Sequence, residues 1–324
     1  MLKVLIIRST PETKGAGIDV YCHAIKDLFH DDGDINILPI TDYQTKQFGL
    51  LKAFYKWKPF IKSIKDSNAD VLHINEFASF TVIQAFIAAI ITKKRVVYTA
   101  HWHPYKHMRR PLLAFLLFNV LVRWLVKFKA DTVITINNED TRYFQSFHKN
   151  VVRIPHWLRF ENINRDIPKH KKLILFVGRV DSPNKCADYI YTLPLNKYEI
   201  HVVGKGDVPN RSDLIQHINL PKDELANLFA RASLLIVPSK YEAFSYVSLE
   251  ALAFKTPIVV SDGVRISDYL DGLKWGSIFN HGDYNGFIKA VENTIGMDVD
   301  VDEILNIFSK ERAYSLYKSL YITN

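Results

Sequence analysis

The sequence predicts an α/β protein built from two doubly wound domains. Short runs that are apolar throughout alternate with amphipathic runs of helical periodicity, and the alternation begins again in the second half of the chain. Strands that are apolar throughout, without the alternation of a half-exposed strand, are typical of parallel sheets covered on both faces. Two parallel sheets covered by helices therefore follow from the pattern.

The first series of elements lies in residues 1–160. Its predicted strands are residues 3–8, 34–39, 71–74, 95–99 and 132–136, and its predicted helices are residues 18–29, 80–91 and 112–128. The second series has predicted strands at residues 173–177, 198–203, 234–237 and 257–260, and predicted helices at residues 187–193, 223–230 and 246–254.

A polar segment separates the two series. Residues 161–172 contain Pro168 and a Lys-His-Lys-Lys cluster, which is the composition of a linker. We therefore assign residues 1–160 to a first domain, residues 161–308 to a second, and residues 309–324 to a final helix.

Composition excludes several classes of protein. With 48% hydrophobic and 23% charged residues, the chain is not of the disordered class. Its two cysteines, Cys22 and Cys186, cannot form a disulfide framework, so we expect a reducing compartment. The apolar run near the start resembles a strand more than a secretory leader. The longest apolar runs, residues 80–91 and 111–122, are shorter than the about 20 residues of a spanning helix.

Charge is unevenly distributed along the chain. Residues 1–160 hold 23 Lys and Arg against 13 Asp and Glu, whereas residues 161–324 hold 19 against 21. This asymmetry indicates that the first domain faces an anionic partner, such as a membrane surface, nucleic acid or a phosphorylated acceptor.

Two glycine-containing segments follow predicted strands of the second domain. Gly178 and Arg179 end one strand, with Lys185 six residues beyond Arg179, and Gly204 follows the next strand. Ligands of open α/β sheets bind at the carboxyl ends of strands, where an arginine and a lysine together suit a diphosphate. Each segment alone is equally compatible with solvated cations or an ordinary turn.

A third segment carries two glutamates. Glu242 falls in the loop after the strand at residues 234–237, and Glu250 falls inside the following helix. The first turn of that helix offers free backbone N–H groups to an anion. Glu242 could accept hydrogen bonds from sugar hydroxyls and Glu250 could hold a ribose. The alternative is an amphipathic helix with one solvated and one capping glutamate.

These residues together resemble the large family of retaining glycosyltransferases of GT-B fold, which have two Rossmann-like domains facing a cleft. The spacing of Glu242 and Glu250, the Gly178-Arg179 and Lys185 group, and the glycines near Gly204 carry the resemblance. Near the start, Gly15, Ala16 and Gly17 match more loosely, and His101 matches the family's histidine aimed at the donor sugar. A histidine in the core or capping a helix is the alternative for His101.

The resemblance implies roles for these side chains. Arg179, Lys185, Glu242 and His101 would be catalytic, with the first two stabilising the leaving diphosphate. The donor nucleotide sugar would be bound by Gly15, Ala16, Gly17, Gly178, Gly204, Ile218, Ala243, Phe244, Ser245, Tyr246, Val247 and Glu250. The family transfers with retention at the anomeric carbon, and a phosphate oxygen of the donor takes the acceptor's proton. No metal ligand and no cofactor are therefore expected, since the UDP- or GDP-sugar is a substrate.

The sequence departs from the family's usual pattern at several positions. Cys186 and Lys255 stand where glycine is usual, and Ser245 stands where glycine often follows the aromatic residue. The paired glycines near the start are Gly-Ala-Gly here, and His156-Trp157 replaces the common Asn-Gly. These departures indicate a divergent branch of the family.

Two segments of the first domain mix cations with large apolar residues. Residues 49–62 form one, and residues 106–127, with Lys106, His107, Arg109 and Arg110 ahead of an apolar helix, form the other. Such a mixture suits a bilayer interface. We expect a cytoplasmic protein, peripheral on the inner face of the cell membrane, with a glycan or lipid-linked acceptor. The alternative is a helix packed on its domain with solvated lysines.

Two other classes of protein compete with a transferase of bacterial surface polysaccharide synthesis. A nucleotide-sugar epimerase or hydrolase would bind a diphosphate on the same fold, but would bring different carboxylates. A non-catalytic membrane- or nucleic-acid-binding protein would explain the basic first half. It would leave the paired glutamates of the acidic second half without a role, and we expect no nucleic-acid partner.

Overall fold

A computed structural model describes residues 1–8, 17–42, 57–75, 80–101, 112, 116–158, 167–269 and 275–323 of the chain. The described residues divide into two compact units. The first comprises Met1–His156 and Lys310–Asn324, and the second comprises Trp157–Ser309.

The first unit contains a six-stranded parallel sheet in the order β2-β1-β3-β4-β5-β6. The strands are β1 (Leu2–Arg8), β2 (Ile35–Asp42), β3 (Val71–Asn75), β4 (Arg95–Thr99), β5 (Thr132–Thr135) and β6 (Val151–Arg153). The helices are α1 (Gly17–Leu28), α2 (Trp57–Asp66), α3 (Phe80–Thr92), a π-helix (Leu116–Val122), α4 (Arg123–Lys129) and α5 (Asn138–Gln145), with α11 (Lys310–Ile322) at the end of the chain.

The second unit contains another six-stranded parallel sheet, in the order β12-β11-β10-β7-β8-β9. The strands are β7 (Leu173–Val177), β8 (Glu199–Val203), β9 (Leu214–His217), β10 (Leu234–Val237), β11 (Ile258–Ser261) and β12 (Gly276–Phe279). The helices are α6 (Asp188–Tyr191), α7 (Lys222–Arg231), α8 (Tyr246–Ala253), a 3-10 helix (Arg265–Tyr269), α9 (Tyr284–Thr294) and α10 (Val301–Phe308).

Burial explains why the central strands are apolar throughout. Every residue of β3 and β10 is buried, because helices cover both faces of each sheet. The prediction of an α/β fold with two parallel sheets is thus confirmed. The predicted helix at residues 112–128 is observed over its second part, as the π-helix followed by α4.

No helix among the described residues is long and apolar enough to cross a membrane. In α2, which overlaps the predicted membrane segment at residues 49–62, Phe60 and Ile64 are buried in the core of the first unit, whereas Lys58 and Lys62 are exposed. Residues 49–56 lie outside the described part. The described part of this segment therefore fits the alternative, a helix packed on its domain with solvated lysines.

The final helix α11 is fastened to the first unit by polar contacts. Tyr317 and Tyr21 share a hydrogen bond of 2.5 Å between their hydroxyls, and Tyr321 and His73 share one of 2.6 Å. The guanidinium of Arg95 donates to the backbone carbonyls of Leu320, Tyr321 and Thr323. A cation at the negative end of the helix dipole is stabilising there, so α11 is held at its middle and at its end.

His73 and His101 form the buried polar centre of this unit with Tyr21. Burial lowers the pKa of His73 to about 3, with a further contribution from His101, and burial lowers the pKa of His101 to about 3. Nε2 of His73 lies 2.8 Å from the hydroxyl of Thr99. Both imidazoles are therefore neutral in the folded protein at neutral pH.

We predict that the neutral His73 makes the folded state sensitive to acid. The unfolded chain protonates this histidine near its ordinary pKa of 6.5, whereas the folded chain does not until about pH 3. The stabilisation is thus complete above pH 6.5 and is lost as the pH falls from 6.5 towards 3. Between pH 7 and pH 5 the loss is on the order of 2 kcal/mol for this histidine.

Urea unfolding of the parent and of His73→Gln at pH 7 and pH 5 measures this loss. The difference in free energy of unfolding between parent and variant should shrink towards pH 5, because glutamine does not titrate. His30→Gln, at an exposed position, is the control. A difference for His73→Gln that stays constant between the two pH values would contradict the prediction.

Candidate functional site

The predicted functional segments of the second unit meet where its sheet changes winding direction. Strands β7 and β10 lie side by side, although β8 and β9 come between them in the sequence. Leu234 pairs with Ile174 and Leu235 with Leu175, in parallel. Such a switch point leaves a crevice at the carboxyl ends of the two strands, where ligands of open α/β sheets bind. The loops after β7 and β10 both begin there.

A lysine and a glutamate from these two loops form an ion pair. Nζ of Lys185 lies 2.7 Å from Oε1 of Glu242, and the two side chains are 27% and 14% exposed. The hydroxyl of Ser239 donates to the same carboxylate oxygen at 2.6 Å. Because the pair is partly shielded from water, it holds these loops together more strongly than a fully exposed pair would. Two of the predicted catalytic residues are thus in direct contact.

Hydrogen bonds to the backbone fix the position of this pair. The side-chain amide of Asn184 donates to the backbone carbonyl of Tyr241 at 2.9 Å, and the backbone carbonyl of Asn184 accepts from the N–H of Lys240 at 2.8 Å. The N–H of Glu242 donates to the carbonyl of Gly263 at 3.0 Å. Sequence reasoning missed the roles of Asn184 and Ser239. Their signal was weak: each is a small polar residue close to a predicted site residue.

The N-terminus of α8 lies just after Glu242 in the chain. The side chain of Ser245 caps the helix, accepting from the N–H of Ser248 at 3.4 Å and from the Ser248 hydroxyl at 2.8 Å. The first turn of α8 is the positive end of the helix dipole, which favours an anion nearby. Serine is a preferred capping residue, so its substitution for the family's usual glycine is accommodated here.

One side of this segment is partly exposed. Tyr246, Val247 and Glu250, together with Ala243 in the preceding loop, are half-buried. Since residues three and four apart share a face of a helix, Tyr246, Val247 and Glu250 lie on one side of α8. Glu250 is therefore accessible on the same side of α8 as two of the predicted ligand-binding residues.

Phe244 differs from its neighbours because its side chain is buried. Its ring contacts the rings of Tyr246, Tyr269 and Phe308, with centroid distances of 5.7 to 6.2 Å. A contact of residue 244 with a ligand would therefore come from its backbone.

The two glycine-containing loops lie against each other at the neighbouring strand ends. A Cβ atom on Gly204 would stand 1.9 Å from the carbonyl oxygen of Gly178, so a side chain there would push the loops apart. The side-chain amide of Gln216 donates to the carbonyls of Gly204 and Gly206 at 3.0 and 2.7 Å. Ile218 is 57% exposed and directly follows His217, whose backbone carbonyl accepts from the N–H of Gly204. The predicted group of Gly178, Gly204 and Ile218 is thus brought together.

Arg179 makes a different contact from the one expected of a diphosphate ligand. Its guanidinium forms two hydrogen bonds of 3.1 Å with the carboxylate of Asp181, and its side chain is 71% exposed. The hydrogen bonds that Arg179 donates to Asp181, and then the negative charge of Asp181, raise the pKa of Arg179. An exposed pair of this kind contributes little to stability and exchanges easily for another anion.

The remaining predicted residues lie in the first unit. His101 directly follows β4; its ring is buried, with Nε2 3.3 Å from Oδ1 of Asn75 and the Tyr21 ring 4.4 Å away. Gly17 begins α1. Gly15 and Ala16 lie outside the described residues.

The described residues contain no group of three or more His, Cys, Asp or Glu side chains placed to hold a metal ion. The acidic stretch before α10 has a structural role, because the carboxylate of Asp300 accepts from the N–H of Asp302 at 3.1 Å at the start of that helix.

Two family models match the chain in succession. The model described as glycosyltransferase family 4 matches residues 12–159, and the model described as glycosyl transferases group 1 matches residues 171–296. The second match contains the Lys185–Glu242 pair and both glycine loops.

Related proteins were found both by sequence and by fold. An uncharacterised 41.2 kDa protein from the cps region of Klebsiella pneumoniae is 25% identical over 264 residues, covering 72% of this chain and 71% of that protein. Sucrose-phosphate synthase from Thermosynechococcus elongatus has a TM-score of 0.77 at 16% identity, covering 99% of this chain and 98% of that one. The Anabaena protein HepE in complex with UDP-glucose has a TM-score of 0.74 at 14% identity, covering 99% of both chains.

Two departures from the glycine pattern keep the backbone that glycine favours. Cys186 has a φ of 50° and Lys255 a φ of 58°, in the left-handed region. Lys255 follows the C-cap of α8, where its N–H donates to the carbonyl of Leu252 and the next N–H donates to that of Ala251. Glycine is the usual residue at this position of such a helix end. The fold has kept the conformation while the sequence has lost the residue that adopts it at least cost.

We predict that Lys255→Gly stabilises the protein. The left-handed conformation costs a residue with a Cβ about 1 kcal/mol, which glycine avoids. Glycine also has more conformational freedom in the unfolded chain, and this offsets part of the gain. The expected gain is about 0.5 to 1 kcal/mol in the free energy of unfolding, measured by urea denaturation.

Lys255→Ala is the control, because it removes the charge but keeps the Cβ. The positive charge of Lys255 matters nearby, since burial first and Lys255 second lower the pKa of Lys169 to about 8. An equal gain from alanine and glycine would show that charge repulsion, and not the backbone, was the cost.

Proposed function

We propose that this chain, which matches two glycosyltransferase family models in succession and has the GT-B fold, transfers a hexose from a UDP- or GDP-sugar to a glycan or a lipid-linked sugar. The transfer retains the configuration of the anomeric carbon and needs no metal. The observation that carries the proposal is the Lys185–Glu242 pair at the switch point, beside the backbone of Gly178 and Gly204.

The diphosphate of the donor binds at the carboxyl end of β7. Lys185 supplies a fixed positive charge there, and Arg179 adds its guanidinium by leaving the exposed carboxylate of Asp181. The start of α8 is the positive end of its helix dipole and adds to the positive charge of these two cations. These groups stabilise the charge that grows on the diphosphate as it departs, which is where catalysis has most to gain.

The two glutamates serve different parts of the donor. Glu242, in the loop, accepts hydrogen bonds from hydroxyls of the hexose, and Glu250, on the accessible side of α8, accepts those of the ribose. Donor binding lets Lys185 exchange part of its contact with Glu242 for a phosphate oxygen. The ion pair then acts as a link between recognition of the sugar and stabilisation of the leaving group.

The chemical step needs no protein base. The acceptor hydroxyl attacks the anomeric carbon from the face on which the diphosphate leaves. The bond between that carbon and the phosphate oxygen breaks, a new bond to the acceptor oxygen forms, and the acceptor's proton moves to a phosphate oxygen of the leaving group. The enzyme's share is placement of two substrates and stabilisation of departing charge.

The relatives support the choice of donor and setting. The HepE structure contains UDP-glucose, and the Klebsiella relative comes from a cps region. We therefore propose a role in bacterial surface polysaccharide synthesis, in the cytoplasm at the inner face of the cell membrane. The assignment of His101 to the donor sugar stays a prediction.

We expect a UDP- or GDP-sugar to raise the melting temperature of the protein, since a ligand that binds only the folded state stabilises it. A panel of nucleotide sugars in EDTA, read by thermal shift and then by release of UDP or GDP, identifies the donor. The anomeric coupling constant of the product, measured by NMR, reports retention. No shift with any nucleotide sugar would count against the transferase, and dependence of turnover on added metal would count against the metal-free step.

We expect Glu242→Ala and Lys185→Ala to lower kcat/KM for the identified donor by about 100-fold or more, because each removes a group that contacts the reacting part of the donor. Glu242→Gln keeps the shape of the side chain but removes its charge, so a loss of activity in this variant is not a result of misfolding.

The pair Lys197–Glu292 supplies matched controls. It joins the same residue types at 2.6 Å elsewhere in the same unit, with both side chains about half exposed. Lys197→Ala and Glu292→Ala should leave turnover near that of the parent. Full activity of Glu242→Ala would contradict the assignment of Glu242 to the donor site.

A further inference from the structure

Large apolar side chains are exposed along one side of the helical segment in the first unit. Here we call these residues the apolar stripe: they stand at four-residue intervals and are Leu112, Leu116, Val120, Trp124 and Phe128. Their exposed fractions are 73%, 50%, 59%, 56% and 64%. Side chains four apart lie near one side of a helix, so the four residues from Leu116 to Phe128 form one continuous feature. Leu112 extends the spacing in the sequence, and residues 113–115 lie outside the described part.

The other side of the same segment fixes its orientation. Val122, Leu125 and Val126 are buried in the core of the first unit. The segment therefore already has an apolar side for its own domain, and the stripe is a second apolar side that the domain does not use. Contiguous exposed apolar surface of this kind marks an interaction site.

The stripe ends in an aromatic pair with basic neighbours. The rings of Trp124 and Phe128 lie 5.2 Å apart, and Nζ of the exposed Lys127 is 5.5 Å from the centroid of the Phe128 ring. Tryptophan beside lysine is suited to the boundary between lipid and water, where the ring is partly immersed and the charge stays hydrated.

The charge of the surrounding sequence has a single sign. Residues 77–130 contain nine Lys and Arg and no Asp or Glu, and of these cations Lys106, Arg109 and Arg110 lie outside the described residues. Helix α3, which packs against the π-helix and α4, ends with the exposed Ile90 and Ile91, followed by Lys93 and Lys94. Exposed apolar residues and lysines therefore occur together at the end of the neighbouring helix as well.

We propose that the apolar stripe is the surface by which this protein binds an anionic lipid bilayer. The side chains of the stripe enter the interfacial region, and the neighbouring lysines and arginines attract acidic headgroups. A second copy of the chain fits less well, because it would bring a cationic surface against itself, and like charges across an interface are unfavourable.

This inference rests on the proposed function in one respect, the expectation of a lipid-linked acceptor. A stripe immersed in the headgroup region would hold the first unit at the leaflet that carries such an acceptor. Of the two segments that the sequence marked as basic and apolar, the structure gives an exposed apolar side to this one, whereas Phe60 and Ile64 of α2 are buried.

Flotation with large vesicles tests the proposal. Vesicles of phosphatidylcholine alone are compared with vesicles that also contain phosphatidylglycerol, at low and high salt. The parent should bind the anionic vesicles at low salt, and bind more weakly at high salt or without phosphatidylglycerol. Trp124→Ser with Phe128→Ser should reduce the partition coefficient roughly tenfold or more, and Lys127→Ser alone about fivefold.

Leu195→Ser with Ile215→Ser is the matched control. These apolar residues are 59% and 45% exposed but belong to the second unit, and their substitution should leave vesicle binding unchanged. Circular dichroism of each variant establishes that it folds. Stabilisation by the donor should be the same in the serine variants as in the parent, so loss of membrane binding and failure of the proposed transferase give different results.

Three outcomes would overturn the proposal. The first is equal binding by the parent and the Trp124→Ser, Phe128→Ser variant. The second is vesicle binding by the parent that does not change with phosphatidylglycerol content or salt concentration. The third is self-association of the parent in sedimentation, lost in that double variant and accompanied by no vesicle binding, which would assign the stripe to a second copy.

Discussion

Strand β7 lies beside β10 in the second sheet, although β8 and β9 separate them in sequence, and the candidate site depends on this adjacency. Parallel pairing brings both carboxyl ends to one edge, so the loops that follow begin side by side. The Lys185–Glu242 pair closes the gap between them at 2.7 Å. The position of α8 follows in turn, because the loop with Glu242 leads directly into its first turn. A different strand order would leave the same residues in separate parts of the surface.

The site combines rigid backbone with side chains that can exchange partners. Gly178 and Gly204 approach so closely that no side chain fits between the two loops, and Gln216 holds the second loop with two hydrogen bonds. Arg179 and Lys185, by contrast, each pair with a carboxylate. In the proposed mechanism the donor diphosphate takes over part of these contacts, while the backbone dipoles around it need no reorganisation.

The first unit shows the opposite use of polar groups. His73, His101 and Tyr21 are buried together, and burial raises the pKa of Tyr21 as it lowers those of the two histidines. All three are therefore neutral at neutral pH, and the hydrogen bonds of Tyr21 and His73 fasten α11 to the first unit. The apolar stripe and the exposed Lys127 lie at the surface of this unit instead.

Much of the architecture could be read from the sequence. The strands Arg95–Thr99, Leu173–Val177 and Leu234–Val237 were predicted to the residue, because strands buried on both faces must be apolar throughout. The strands that were missed, β6, β9 and β12, all stand at sheet edges. An edge strand is partly exposed, so its composition, as in Leu-Ile-Gln-His of β9, does not differ enough from that of a loop.

What the sequence by itself determined was the chemistry available at each strand end: a Gly-Arg, a lysine and two glutamates in order along the chain. Only the tertiary structure decided which of these groups meet. It paired Lys185 with Glu242, set Arg179 against Asp181, buried the ring of Phe244, and left the stripe from Leu112 to Phe128 exposed. Local composition cannot specify such contacts, because they arise from strand order and from which side of a helix the core takes up. Both are properties of the whole sheet and not of any single segment.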